Sequence, residues 1–219
     1  MKLVIFDCDG TLVDSQHLIV ACMNEAFASL RRQAPSREAT LSIVGLSLHE
    51  AFATLTSPDD QDIPVLIEAY KSAFHAQRLK PDNAEPLYEG AREVVEWLAG
   101  EQVALGIATG KSQRGVRIVM THHGLLDRFS TIQTADDAPS KPHPGMIQQA
   151  MAAVGAVPDE TVMIGDTTYD IDMAHAAGVA SIAVSWGYHA PQALLRSRPH
   201  ALVGAYAEVP LVLKGLWGR

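Results

Sequence analysis

The chain has 219 residues, 47% of them apolar and 19% charged, with a formal net charge of −8. That is enough apolar material for one α/β domain, or one domain carrying a smaller inserted lobe, and too little charge for a disordered chain. No Lys- or Arg-rich block offers a nucleic-acid footprint, so an anionic ligand would need positive potential made locally, by a metal and one or two placed lysines.

Leu3-Val4-Ile5-Phe6 is a continuous apolar run ending in Asp7, the pattern of a strand buried on both faces of a parallel sheet. The run is far too short for a signal peptide, and nothing in the chain approaches the ~18 apolar residues of a membrane span. A soluble, cytoplasmic protein with no membrane partner is expected. Cys8 and Cys22 are too few and too closely spaced for a secreted disulfide framework.

From about Asp14 to Asp82 the pattern is helical, with no convincing strand. Asp14 offers an N-cap, Ser47-Leu48-His49-Glu50 reads as a capping-box start, and residues 61–79 form a long amphipathic stretch closed by Pro81. A helical block of roughly 65 residues is too long for an ordinary crossover. It predicts an inserted helical cap, residues 15–81, on a core of residues 1–14 and 82–219.

Further apolar runs at 103–108, 131–134, 162–165 and 181–184 read as strands. Helical patterns at 91–99, 112–123, 144–154 and 169–177 alternate with them, stopped by Gly100, Gly124, Gly155 and Gly178. This alternation predicts a doubly wound parallel sheet of the α/β class, with its ligand at the carboxyl ends of the strands.

Four polar clusters sit where such a sheet places its site. In Asp7-Cys8-Asp9-Gly10-Thr11, two carboxylates two residues apart make either a proton-sharing pair or a metal site, and Gly10 permits a chain reversal that turns amides toward a phosphate. Thr109-Gly110-Lys111 offers a hydroxyl and free amides at a helix start, an anion cradle or an ordinary cap. Ser140-Lys141-Pro142-His143-Pro144 fixes a lysine between turn residues, a placed charge suited to phosphate or a surface lysine. In Gly165-Asp166-Thr167-Thr168-Tyr169-Asp170, Asp166 falls at a strand tip with Asp170 one helical turn on, hard oxygen ligands that suit Mg²⁺.

In this order the clusters resemble the four motifs of the haloacid dehalogenase-like superfamily, specifically its phosphoglycolate phosphatase-like members with a helical cap between the first two motifs. The resemblance covers essentially the whole chain. It implies that Asp7 attacks phosphorus, that Asp9 serves as general acid and then base, and that Thr109 and Lys141 hold the phosphoryl oxygens. It further implies Mg²⁺ held by Asp7, the backbone carbonyl of Asp9, and Asp166, with Asp170 in support. Gly10, Thr11, Gly110 and Lys111 are the expected substrate-binding residues. The partner is a small phosphorylated metabolite, phosphoglycolate among the possibilities, handled by a monomer or homodimer. A sugar-phosphate mutase of the β-phosphoglucomutase kind shares all four motifs, and pyrophosphate hydrolysis within the same superfamily is a third alternative.

Competing patterns fare worse. Gly106 stands one residue too close to Gly110-Lys111-Ser112 for a P-loop, which requires a glycine where Leu105 stands. A thiol phosphatase needs an Arg six positions after its cysteine, where Asp14 and Ala28 follow Cys8 and Cys22. His122, His123, His143 and His175 belong to motifs that do not converge, and a signalling receiver domain is half this length and needs no cap. A dehalogenase branch would lack Asp9. Gly45-Leu46-Ser47 with His49 is a candidate substrate loop, and Lys71, His75 and Arg78 share a face that is either solvated or substrate-facing.

Overall fold

The computed structural model describes residues 1–78, 80 and 85–218. Six parallel strands form one sheet: β1 (Leu3–Phe6), β2 (Ala104–Thr109), β3 (Thr131–Thr134), β4 (Thr161–Gly165), β5 (Ala180–Val184) and β6 (Ala201–Val203), in the order β3-β2-β1-β4-β5-β6. The winding reverses at β1, which pairs with β2 on one side and β4 on the other. An open parallel sheet has its binding crevice at such a reversal, outside the strands' carboxyl ends.

Alternation along β1 shows why both faces are covered. Val4 and Phe6 pack with α5 (Ala91–Gly100), α6 (Gln113–His122) and α10 (Val209–Trp217); Leu3 and Ile5 pack with α7 (Gly145–Val154) and α8 (Thr168–Ala177). All four side chains are fully buried, each worth about 1.5–3 kcal/mol of transfer free energy. A short helix, α9 (Pro191–Arg196), leads into β6. The doubly wound α/β sheet expected from the sequence is present.

Between β1 and α5 come α1 (Gln16–Ser29), α2 (Arg37–Ser42), α3 (Leu48–Leu55) and α4 (Ile63–Arg78). They share their own apolar cluster, in which Phe27, Phe52 and Tyr70 meet ring to ring with centroids 6.1 Å apart at each step. The chain returns to the sheet near Glu85. The helix end at residue 79, its Pro81 stop and the 81/82 boundary lie outside the described residues.

Several local expectations shift. Ser15, not Asp14, takes the N-cap position of α1, and its side chain makes no cap bond because it is used elsewhere. Gly100 lies inside the last turn of α5 rather than beyond it. Strand β2 starts one residue late and runs through Thr109, which pairs with Thr134 of β3.

Candidate active site

The loops after β1, β2 and β4 converge because those three strands are neighbours. Asp7 follows β1 directly, and its backbone amide donates to the Ile164 carbonyl at 2.9 Å, locking the loop to the end of β4. The chain then reverses through Gly10, which has φ +84°, a left-handed conformation that side chains rarely adopt. A methyl group there would also meet Asp166 Oδ2 at 2.3 Å.

Asp7, Asp166 and Asp170 bring carboxylate oxygens within 4.8 Å of one another, and all three residues are fully buried. Asp166 is held on both oxygens, by the Thr11 hydroxyl and the Tyr188 amide, each at 2.8 Å. Asp170 accepts from the Thr167 amide and hydroxyl on one oxygen and from Lys141 Nζ, at 2.6 Å, on the other. Lys141 Nζ also sits 3.0 Å from Asp7 Oδ1 as an ion pair, poorly directed for a hydrogen bond. Among the described residues, neither Asp7 oxygen accepts a well-directed hydrogen bond.

Three buried carboxylates therefore face a single ammonium, a deficit of two positive charges. Burial pushes the Asp7 carboxyl up to about 7 against the pull of Lys141, and burial with Asp170 and Asp7 nearby drives Asp166 well above the carboxylate range. Burial alone would depress Lys141, but Asp170 and Asp7 outweigh it and hold the ammonium more firmly protonated than usual. An uncompensated pair of negative charges, hard oxygen donors and an unbonded Asp7 carboxylate fit a small divalent cation.

On the other side of Asp7 stands Asp9. Its Oδ1 accepts from Ser15 Oγ at 2.5 Å and from Lys111 Nζ at 2.7 Å. Lys111 also reaches Glu85 Oε1 at 2.8 Å, and Arg78 of α4 pairs with Glu85 Oε2 at 2.6 Å. A chain of alternating charges thus runs from the β1 loop to the helical lobe. Thr109, 1% exposed, accepts the Lys111 amide on its hydroxyl at 3.3 Å, and Gly110 lies beneath the Gly45 and Leu46 carbonyls of the lobe.

Residues 4–184 match the model of the haloacid dehalogenase-like hydrolases. The chain belongs to that family. Among relatives of this hydrolase is a protein named "Probable phosphatase IndB" from Dickeya dadantii, 35% identical over 94% of this chain and 91% of its own length. The "Pyrophosphatase PpaX" of Bacillus pumilus is 34% identical over 94% of this chain and 93% of its own. A solved hydrolase from Pseudomonas syringae superposes with a TM-score of 0.86 at 24% identity, covering 98% of this chain and 99% of that one.

Within this haloacid dehalogenase-like chain, nine of the ten residues singled out from the four motifs lie on loops or strand ends at the carboxyl side of the sheet, and Asp170 lies in the first turn of α8. Ser15, Glu85 and Tyr188 escaped the sequence reading. Ser15 looked like part of a helix start, Glu85 sits in a linker without a motif, and Tyr188 comes from 173 residues beyond the serine whose amide it accepts. Gly187 belongs to the same set, because a methyl group there would stand 2.2 Å from Asp166 Cβ. Gly187→Ala should destabilise the fold by about 1–3 kcal/mol and raise the Mg²⁺ concentration needed for half-saturation. Denaturant unfolding and a metal titration check this; unchanged values in both would mean Asp166 has room to move.

Proposed function

We propose that this chain is a Mg²⁺-dependent phosphatase that hydrolyses a small phosphomonoester through a phosphoryl group carried on Asp7. One observation carries the reading. Asp7 is a buried carboxylate at a sheet's switch point with both oxygens unbonded, beside one ammonium and two further carboxylates.

Asp7, Asp166 and the carbonyl of Asp9 would hold the cation, with Asp170 behind them. Bound there, it would neutralise the carboxylates so that an anionic ester could approach; like charges ~4 Å apart repel by about 4 kcal/mol at an effective dielectric of 20. An Asp7 oxygen attacks phosphorus as the bond to the leaving oxygen breaks, and Asp9 gives that oxygen its proton. Water then attacks phosphorus, passes a proton to the Asp9 carboxylate, and the bond from phosphorus to Asp7 breaks to release phosphate. Thr109 and Lys141 hold the phosphoryl oxygens, and Gly10, Thr11, Gly110 and Lys111 shape the loops around them. The lobe of α1–α4 acts as the cap that limits access to water and substrate.

The test is phosphate release from a panel of monoesters, phosphoglycolate and sugar phosphates among them, with Mg²⁺ and in excess EDTA. Release should fall to background with the chelator and return with Mg²⁺. A readout apart from turnover is thermal melting. At 100 times its dissociation constant a bound ion adds about 2.7 kcal/mol, or roughly 5–10 °C for a chain of this size. Turnover in EDTA together with a flat melting curve would remove the metal from this site.

A further inference from the structure

The side of the site that receives the leaving group has an unusual charge balance for a protein with a pyrophosphatase among its relatives. Lys111 pairs directly with Asp9 and Arg78 is linked to it through Glu85, and both are already matched. Lys111 bridges Asp9 and Glu85 at 2.7 and 2.8 Å, and Arg78 closes on the second Glu85 oxygen at 2.6 Å. Two cations meet two carboxylates while Asp9 is ionised, and only one positive charge is left unmatched when Asp9 carries its proton. Lys71 of α4 is paired with Glu68 at 2.9 Å. His75 and Arg114 stand exposed at the mouth, where water and salt screen them.

Beside Lys71, His75 and Arg78, the lobe also gives the cavity at Asp9 a set of apolar side chains. A cavity of about 650 Å³ opens between lobe and sheet, within the range that holds a ligand many times larger than a phosphate ion. Ile19 and Met23 of α1, Val44, and Tyr70 and Phe74 of α4 line its lobe side. The Phe74 ring lies 5.1 Å from Lys111 Nζ and 4.7 Å from the Arg78 guanidinium, directly over the ion pairs that hold Asp9. It packs at 5.7 Å against Tyr70, which fixes its orientation.

We infer that the leaving group is an uncharged alcohol bearing an apolar or aromatic face, seated on Phe74, and that pyrophosphate is a poor substrate. This rests on the reading of Asp7 as the phosphoryl acceptor. A departing phosphate would bring at least two negative charges against at most one unmatched buried cation, with His75 and Arg114 screened at the mouth, whereas a neutral alcohol needs only the Asp9 proton and gains the apolar wall. An aromatic group also gains contact with the part of Phe74 that lines the cavity beside Lys111 and Arg78.

The experiment compares kcat/KM for benzyl phosphate, ethyl phosphate and pyrophosphate with Mg²⁺ present, since the two esters have unactivated leaving groups and differ mainly in apolar bulk. Benzyl phosphate should exceed both others by about tenfold or more. Phe74→Ala should reduce the benzyl-to-ethyl ratio by about tenfold, chiefly through KM, and Phe74→Leu should restore part of it. The ratio controls for any loss of folded protein, because both esters meet the same preparation. Pyrophosphate matching or exceeding benzyl phosphate, or a ratio indifferent to Phe74, overturns the inference while leaving Asp7 in place. Absence of release from all three, with Mg²⁺ bound by melting, overturns the phosphatase reading and this inference with it.

Discussion

Asp7→Asn should abolish phosphate release while raising the melting temperature of the metal-free protein. The two effects share a cause. Asp7 is buried, accepts no well-directed hydrogen bond from the described residues and is one of three carboxylates in a cluster two charges short of balance. An uncharged amide reduces that deficit to one, and each kcal/mol recovered raises the midpoint by roughly 2–4 °C in a protein of this length. Turnover should fall on the order of 10⁴-fold or more, since no other group can accept the phosphoryl unit. Asp9→Asn supplies the complementary result. It keeps the attacking carboxylate but cannot take a proton from water, so phosphate should accumulate on Asp7 when the ester's leaving group needs no acid. Acid quench and peptide mapping should place the label at Asp7. An Asp9→Asn enzyme that turns over an activated aryl phosphate with no burst and no labelled peptide would transfer the nucleophile's role elsewhere.

That the positions of these residues could be read from the chain alone follows from how α/β sheets are built. Strands buried on two faces are continuous apolar runs, so their ends are visible, and Asp7, Thr109 and Asp166 stand at those ends. The long helical interruption between β1 and β2 likewise has no other economical reading. β6 was missed because Ala201-Leu202-Val203 is too short to stand out, and it forms by pairing with β5 rather than by local preference. Ser15 and Glu85 were missed for a related reason. Ser15 stands at the N-cap position one residue after the expected Asp14 and donates its hydroxyl to Asp9 instead of capping, and Glu85 acquires its place only when Lys111 and Arg78 arrive from other parts of the fold. His123, read as one of several unconnected histidines, meets the Glu85 carbonyl at 2.8 Å. Motifs at strand tips survive in the sequence; partners gathered between the α1–α4 helices and the sheet loops do not.

Lys141 carries the other large effect, because it is the sole ammonium among the three carboxylates. Its side chain is fully buried, at 2.6 Å from Asp170 Oδ1 and 3.0 Å from Asp7 Oδ1. Removing one partner of a buried ion pair leaves the other uncompensated, which costs about 3–5 kcal/mol. Lys141→Met keeps the stem's bulk and should therefore lower the melting temperature of the metal-free protein by roughly 6–20 °C. Activity should fall at least about 10²–10³-fold, the range for losing one preorganised donor to a developing oxyanion. The double variant Lys141→Met with Asp170→Asn separates the two roles. It has two buried carboxylates and no ammonium, so its deficit is again two charges, as in the unaltered protein, and a large part of the lost stability should return. Activity should not, because the phosphoryl group still lacks its cation. Measuring both variants by thermal melting and by kcat/KM on one monoester completes the cycle. Recovery of activity along with stability would make Lys141 a structural counter-ion to Asp170 and nothing more, and would leave the phosphoryl oxygens to Thr109 and the bound metal.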